Sequence, residues 1–148
     1  MVRRYRMKEL TVLAKTENLE QVLEFVNGLL EEKNSPVNLV FELDIAVEEL
    51  FVNIAHYAYT PEIGEATIQV LFEEDDVVIT FIDRGIPYNP WAKKDPDITL
   101  SLEERQIGGL GIYMVKNSMD EVDYIYKDGK NIVTIKKNLI KNEQVKGE

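Results

Sequence analysis

The sequence contains no cysteine, which excludes disulfide bonds and thiolate metal sites. No uninterrupted apolar run approaches about 18 residues, so we expect no membrane-spanning helix. The basic N-terminus is not followed by an apolar stretch, which argues against a signal peptide. Basic residues are also scarce, 17 against 27 acidic ones, and the net charge of −10 disfavours general nucleic-acid binding, which depends on neutralising phosphates. These absences favour a cytoplasmic protein without a nucleic-acid or membrane partner.

The composition is otherwise that of a globular domain. Hydrophobic residues make up 45% and charged residues 30% of the 148 positions, enough to bury a core in one domain. We expect a single domain over residues 1–140 and a polar, frayed tail over residues 141–148.

Helical periodicity marks two segments in the first half of the chain. Asn18 followed by Gln21 is typical of a capped N-terminus, and apolar residues at helical spacing follow it. Ser35 and Pro36 predict the cap and first turn of a second helix that runs to about Tyr59. Its buried stripe is predicted to comprise Leu39, Leu43, Ala46, Val47, Leu50, Ile54 and Tyr57.

Six further segments complete the predicted secondary structure. We expect a strand near residues 7–14, a hairpin of two strands over 66–72 and 77–82, a helix over 109–119, and strands over 122–126 and 131–137. Residues 84–106 show little periodicity, and a loop of that length inside a compact domain is usually functional or disordered. The sum is an α+β fold with a sheet layer and a helix layer.

The segment Glu49-Leu-Phe-Val-Asn53 puts a carboxylate and an amide four residues apart, on one face of the second helix. A carboxylate beside the buried stripe can accept a proton from a hydroxyl group or water. An amide oxygen is a hard ligand suited to Mg²⁺. The alternative is an ordinary solvent-exposed helix face.

The segment Asp83-Arg-Gly-Ile-Pro-Tyr-Asn-Pro90 follows an apolar strand. Asp83 can accept a hydrogen bond from an exocyclic amine, which adenine offers and guanine lacks at the corresponding edge. Gly85 allows another group to approach closely. A simple turn after a strand is the alternative.

The segment Gly108-Gly-Leu-Gly111 directly precedes a helix. Its glycines let the backbone approach phosphate, and a helix N-terminus favours an anion. A flexible hinge is the alternative. Arg105, just before the loop, is either a phosphate contact or a surface arginine among glutamates.

These three segments occur in the same order as in the anti-sigma-factor serine kinases, a branch of the GHKL ATPases, which the chain resembles. The resemblance extends from the first strand to about Leu139. The resemblance implies a Bergerat-type two-layer α/β sandwich, with a mixed, mostly antiparallel sheet and about three helices on one face. It further implies that ATP binds between the helix layer and a mobile lid.

By that resemblance, Glu49 is expected to be the general base and Arg105 to act beside the γ-phosphate. Asn53 is expected to hold Mg²⁺, and Asp83 to read the adenine amino group. The implied nucleotide-binding set is Asn53, Tyr57, Asp83, Gly85, Ile86, Gly108, Gly109, Leu110 and Gly111. The implied partners are a STAS-type anti-anti-sigma protein, a sigma factor, and a second copy of the chain in a homodimer.

The chain departs from the family pattern at three places. Tyr57 stands where the family often has histidine, Tyr88-Asn89 replaces Phe-Asp, and Gly129-Lys130-Asn131 replaces a Gly-Thr-Thr near the last strand. None of these changes removes the expected base, metal ligand or adenine reader.

The sequence therefore predicts an ATP- and magnesium-dependent protein serine kinase that also sequesters a regulator. A nucleotide-gated binding module without kinase activity is the alternative, and Glu49 argues against it because binding alone needs no base. We consider the catalytic half of a histidine kinase less favoured because no helix pair is expected ahead of the first strand.

Overall fold

The computed structural model describes residues 6–92 and 109–140. Its strands are β1 (Met7–Leu13), β2 (Glu65–Glu73), β3 (Asp76–Asp83), β4 (Glu121–Lys127) and β5 (Lys130–Asn138). They form one sheet in the order β1-β2-β3-β5-β4, and all four neighbouring pairs are antiparallel. The α+β class and the mostly antiparallel sheet are confirmed.

Three helices accompany the sheet: α1 (Leu19–Glu32), α2 (Val37–Asn53) and α3 (Gly109–Ser118). Burial alternates along β2, β3 and β5, so one face of the sheet is covered and the other is open. The covered face and the helices share one core, whose largest fully buried side chains include Phe51, Phe81, Leu39, Leu43, Ile79 and Ile135. None of the helices formed by residues 6–92 and 109–140 is long and apolar enough to cross a membrane.

The second helix changes its winding at its C-terminal end. After Asn53 it continues as a π-helical turn over Ile54–Ala58, and Tyr59 follows as its cap. A π turn holds more residues than an α turn, so it rotates the side chains that follow it away from the earlier stripe. The expectation that Tyr57 is buried is therefore wrong: it is 63% exposed, whereas the other six predicted stripe residues are buried.

Of the two helix caps predicted from the sequence, one position is correct and one is wrong. Asn18, the last residue of a 3-10 turn (Thr16–Asn18), is the N-cap residue of α1 as predicted, but its side chain makes no capping hydrogen bond and donates from Nδ2 to the Leu13 carbonyl at 2.8 Å. Ser35 closes the preceding helix instead of opening the next, because its Oγ donates to the Leu30 carbonyl at 2.8 Å. Pro36 is the N-cap of α2, so that helix begins one residue later than predicted.

Candidate functional site

The carboxylate and the amide of α2 lie one helical turn apart at the edge of the core. Glu49 is half-buried, and its pKa is raised, first by burial and then by the charge of Glu48. Asn53 lines a cavity, and among the described residues its side chain has no hydrogen-bond partner. A carboxylate with a raised pKa thus lies one helical turn from an amide that no described residue contacts by a hydrogen bond.

The start of α3 packs directly on the Glu49 carboxylate. A β-carbon added at Gly111 would overlap that carboxylate, so the Glu49 side chain would have to move if position 111 were not glycine. Gly109 is the first residue of α3 and Leu110 is exposed in its first turn. Gly108 and Arg105 lie outside the described residues. The glycine-rich segment and the predicted base are therefore neighbours in space.

Asp83 ends β3 and is only 5% exposed. Its Oδ1 accepts hydrogen bonds from the Gly85 N–H at 2.8 Å and from Asn131 Nδ2 at 2.9 Å. Burial raises the pKa of Asp83, and these two donors lower it in part. Since no described residue donates to Oδ2, that oxygen remains available as an acceptor.

One cavity lies between the end of the second helix and the segment after β3. Four of the residues predicted to bind a nucleotide line it: Asn53, Tyr57, Asp83 and Ile86. The rest of the lining was not predicted to contact a nucleotide, and it comprises Leu50, Ile54, Ala58, Phe81, Tyr88, Pro90, Asn131 and Val133. A mostly apolar wall with a few convergent polar groups is typical of a small-molecule site.

Gly85 has a different local role from the one predicted. It does not line the cavity, and a β-carbon there would overlap the Ala58 carbonyl. The adjacent Ile86 N–H donates to the same carbonyl at 3.0 Å. The group that approaches Gly85 closely is thus the backbone at the end of the π turn, and the contact fixes the loop after Asp83 to α2.

Tyr59 makes a second contact between the loop after Asp83 and the end of the π turn. Its hydroxyl donates to the Glu65 carbonyl at 2.6 Å and accepts from the Arg84 N–H at 2.7 Å. The start of β2, the end of the π turn and the loop after β3 are thereby held together.

Asn131 is the main site residue that sequence reasoning did not identify. It is 3% exposed, stands opposite Asp83 in the β3–β5 ladder, and contacts both Asp83 and the loop after it. Its position in the sequence could have identified it, because Asn131 ends the tripeptide Gly129-Lys130-Asn131, which replaces Gly-Thr-Thr in the family pattern.

The residues present fit a magnesium-bound nucleotide. Asp83 lines a mostly apolar cavity, and its Oδ2, to which no described residue donates, can accept from an exocyclic amine. The Asn53 amide, which has no partner within residues 6–92 and 109–140, offers a hard oxygen for Mg²⁺. Gly111 places backbone rather than a side chain against Glu49. Fold and site together are those of a nucleotide-binding domain of the GHKL type.

Comparison with known proteins agrees with that class. The family model for the histidine kinase-like ATPase domain matches residues 12–137, and the chain belongs to that family. It is similar to serine-protein kinase RsbW of Bacillus cereus, 27% identical over 152 residues that span 100% of this chain and 94% of the relative. It is also similar to serine-protein kinase RsbW of Bacillus mycoides, at 26% identity with the same coverage. The resemblance to the small serine kinases of this superfamily is confirmed.

A solved structure supports the fold. The RsbU and RsbW domains of Rv1364c from Mycobacterium tuberculosis match with a TM-score of 0.65 and 16% identity, over 90% of this chain and 32% of that longer chain.

Proposed function

We propose that this protein is an ATP- and magnesium-dependent protein serine kinase. The observation that carries the proposal is the placement of Glu49: this half-buried carboxylate packs against Gly111 and lies one helical turn before Asn53, which lines the cavity. Its relatives named serine-protein kinase RsbW support the same reaction.

In the proposed reaction Glu49 takes the proton from a serine hydroxyl of the partner. The serine oxygen forms the new bond to the γ-phosphorus as the bond to the leaving ADP oxygen breaks. A raised pKa suits Glu49 to this role, because a base works best when its pKa approaches the working pH. Burial beside the core, the first cause of that shift, also keeps water from the reacting groups.

The remaining residues bind and orient. Asp83 accepts from the adenine amino group, while Tyr57 and Ile86 contact the base from the cavity wall. Asn53 holds Mg²⁺, which would neutralise charge on the phosphates. Gly108, Gly109, Leu110 and Gly111 bring backbone N–H groups to the phosphates, and Arg105 contacts the terminal one.

We further propose a regulatory setting for the kinase. The substrate is a serine on a STAS-type anti-anti-sigma protein. Before it is phosphorylated, that protein competes with a sigma factor or equivalent regulator for binding to a homodimer of this chain. The support is the similarity to RsbW kinases over the whole chain.

Transfer of label from γ-phosphate-labelled ATP to a STAS-domain protein tests the proposal. Wild type should label it, and replacing the acceptor serine by alanine should abolish labelling. Glu49→Gln should retain ATP binding and lose transfer by on the order of 10²–10⁴-fold, the usual contribution of a general base. Glu48→Gln is the matched control, because it removes the same charge from the neighbouring, exposed position.

The alternative, a nucleotide-gated binding module, predicts a different pattern in the same assay. ATP would bind and alter partner affinity, yet no serine would be labelled by either wild type or Glu48→Gln. That result would overturn the kinase proposal and leave the nucleotide site intact.

A further inference from the structure

The amide of Asn131 is fully used inside the protein. Its Nδ2 donates to Asp83 Oδ1 and to the Ile86 carbonyl, each at 2.9 Å, and more weakly to the Gly85 carbonyl at 3.4 Å. Its Oδ1 accepts from the Tyr88 N–H at 3.0 Å and from the Tyr124 hydroxyl at 2.5 Å. An amide has two N–H groups and one oxygen, so no capacity remains for contacting a ligand directly.

This bonding determines which oxygen of Asp83 is left for a ligand. Oδ1 accepts from Asn131 and from the Gly85 N–H, whereas no described residue donates to Oδ2. An ionised carboxylate can only accept hydrogen bonds, which suits the exocyclic amine of adenine. A protonated carboxyl could donate instead, which would suit the carbonyl that guanine presents.

We propose that Asn131 is a specificity-determining positioning residue, which selects adenine over guanine by holding Asp83 in an accept-only arrangement. The inference rests on the proposed nucleotide site and deepens it. The same amide also binds the loop that carries Ile86, so one side chain aligns the base reader and one cavity wall.

The protonation of Asp83 depends on two opposing effects, burial and the hydrogen bond from Asn131. Burial raises the pKa of Asp83, and the Asn131 amide is the larger of the two donors that oppose it. Among the described residues, the other ionisable groups around Asp83 lie in its groove on the open face of the sheet and in its cavity. The groove contains Tyr59, the cap of the π turn, with Glu9, Glu65, Arg84 and Lys130, and the cavity contains Tyr57 and Tyr88.

Other ionisable groups lie one step further from Asp83. Tyr124 of β4 reaches it only through Asn131, and Glu49 of α2 faces Gly111 instead. Removing the Asn131 donor should therefore raise the pKa of Asp83 further.

The chain contains its own matched control. The β3–β5 ladder has a second Asp–Asn pair seven residues away, where Asn138 Nδ2 donates to Asp76 Oδ1 at 2.8 Å. Asp76 is partly exposed and lies outside the cavity lining. The same substitution at position 138 thus breaks the same kind of bond without touching the site.

The experiment compares Asn131→Leu, Asn131→Thr and Asn138→Leu in the full chain. Leucine has a similar volume but no donor, whereas threonine restores a hydroxyl donor towards Asp83. Two readouts are needed: the pKa of Asp83 from carbon NMR of side-chain carboxyls in nucleotide-free protein, assigned with Asp83→Asn, and ATP and GTP affinities across a pH series.

We expect Asn131→Leu to raise the pKa of Asp83 and to move the acid limb of ATP binding upward with it. Its ATP affinity at neutral pH should fall on the order of tenfold, because the partner that orients the ligand-binding carboxylate is lost. Its preference for ATP over GTP should shrink. Asn131→Thr should recover most of the pKa, and Asn138→Leu should stay within about twofold of wild type.

A uniform loss of affinity at every pH in Asn131→Leu, with the pKa of Asp83 and the ATP-to-GTP ratio unchanged, would overturn the inference and make Asn131 purely structural. If wild type binds no ATP while Asn131→Leu still raises the pKa of Asp83, the control of Asp83 by Asn131 is supported and the proposed function fails.

Discussion

At the scale of single residues, Asp83 has two requirements that oppose each other, burial and ionisation. It must be buried to face the cavity, yet burial raises its pKa and disfavours the charged form needed to accept an amine. A carboxyl whose folded-state pKa is raised stabilises the fold most when protonated. That contribution is present at low pH and is lost as pH rises through the raised pKa. At neutral pH the folded protein therefore carries the cost of a buried charge.

Asp83→Asn should separate stability from binding. The amide keeps an acceptor for Gly85 and Asn131 but has no charge to desolvate, so its unfolding free energy at neutral pH should equal or exceed that of wild type. ATP affinity should fall on the order of tenfold or more. Urea denaturation at acid and neutral pH, with calorimetric ATP binding, measures both. Lower stability of the variant at neutral pH would mean that the carboxylate is a net stabiliser.

A second residue-scale prediction concerns the neighbours Glu48 and Glu49. The charge of Glu48 is the second cause, after burial, of the raised pKa of Glu49. Glu48→Gln should therefore move the acid limb of the phosphoryl-transfer rate to lower pH while the plateau rate changes little. A pH–rate profile of labelled-phosphate transfer measures this, and an upward shift would contradict the assignment of Glu49 as the base.

The sequence located some site residues and not others for a physical reason. Glu49 and Asn53 share a helix face through local periodicity, and Asp83 ends a recognisable strand. Asn131 meets Asp83 only through the β3–β5 register, across 48 positions of sequence, and local pattern carries no information on that pairing.

At the scale of elements, the close contact between the loop after β3 and the end of α2 should be sensitive to one methyl group. In Gly85→Ala the new β-carbon would overlap the backbone carbonyl of Ala58, which cannot move aside without shifting the π turn. We expect a loss of about 1–3 kcal/mol of stability, as is typical of overpacking, together with weakened ATP binding.

Gly28→Ala is the matched control for Gly85→Ala. Gly28 lies within α1, and a β-carbon there meets no atom. The change should stabilise the protein by about 0.5–1 kcal/mol because alanine loses less backbone freedom than glycine in a helix. Thermal melts of both variants give the comparison. Equal stability of Gly85→Ala and wild type would contradict this expectation and show that the loop after β3 can move away from the end of α2 at no cost.

The π turn also explains why the end of α2 was harder to predict than its middle. Five of the seven predicted stripe residues lie within α2 and are buried because α-helical spacing holds up to Asn53, and Ile54, the first residue of the π turn, is still buried. Beyond that point the winding changes, and Tyr57 turns outward to the cavity mouth. Hydrophobic periodicity cannot register a change of winding that rests on tertiary contacts such as those of Ala58 and Gly85.

At the scale of the whole molecule, the negative charge is unevenly distributed. α1 and α2 each carry four carboxylates and no lysine or arginine. Asp44 of α2 shows the effect locally, since burial and then the charge of Glu48 raise its pKa. Like charges on adjacent helices oppose their packing, and salt screens such repulsion.

Added sodium chloride should therefore raise the melting temperature. A gain of about 2–4 °C is expected for each kcal/mol of repulsion that salt relieves in a domain of this size. The exposed pairs that Lys136 forms with Asp76 and Glu121 weaken in salt, but such pairs contribute little. A thermal melt over a salt series measures the effect, and a falling melting temperature would show that attractive pairs dominate.

The fold class itself was predictable because most of its information is local. The two-residue periods of β2 and β3, the helical stripes and the order of the three motifs all agree with one α+β family, which the family match over residues 12–137 confirms. The predicted capping bonds are absent because the side chains of Asn18 and Ser35 each donate to a carbonyl of an earlier element, although Asn18 does occupy the N-cap position of α1.

Calorimetric titration with ATP, with and without Mg²⁺, on wild type and Asp83→Asn tests the central claim most directly. We predict Mg²⁺-dependent ATP binding by wild type that is lost or strongly weakened in the variant, although both proteins are folded. Absence of ATP binding by folded wild type, or equal affinity in the two proteins, would contradict the claim that this cavity is a nucleotide site read by Asp83.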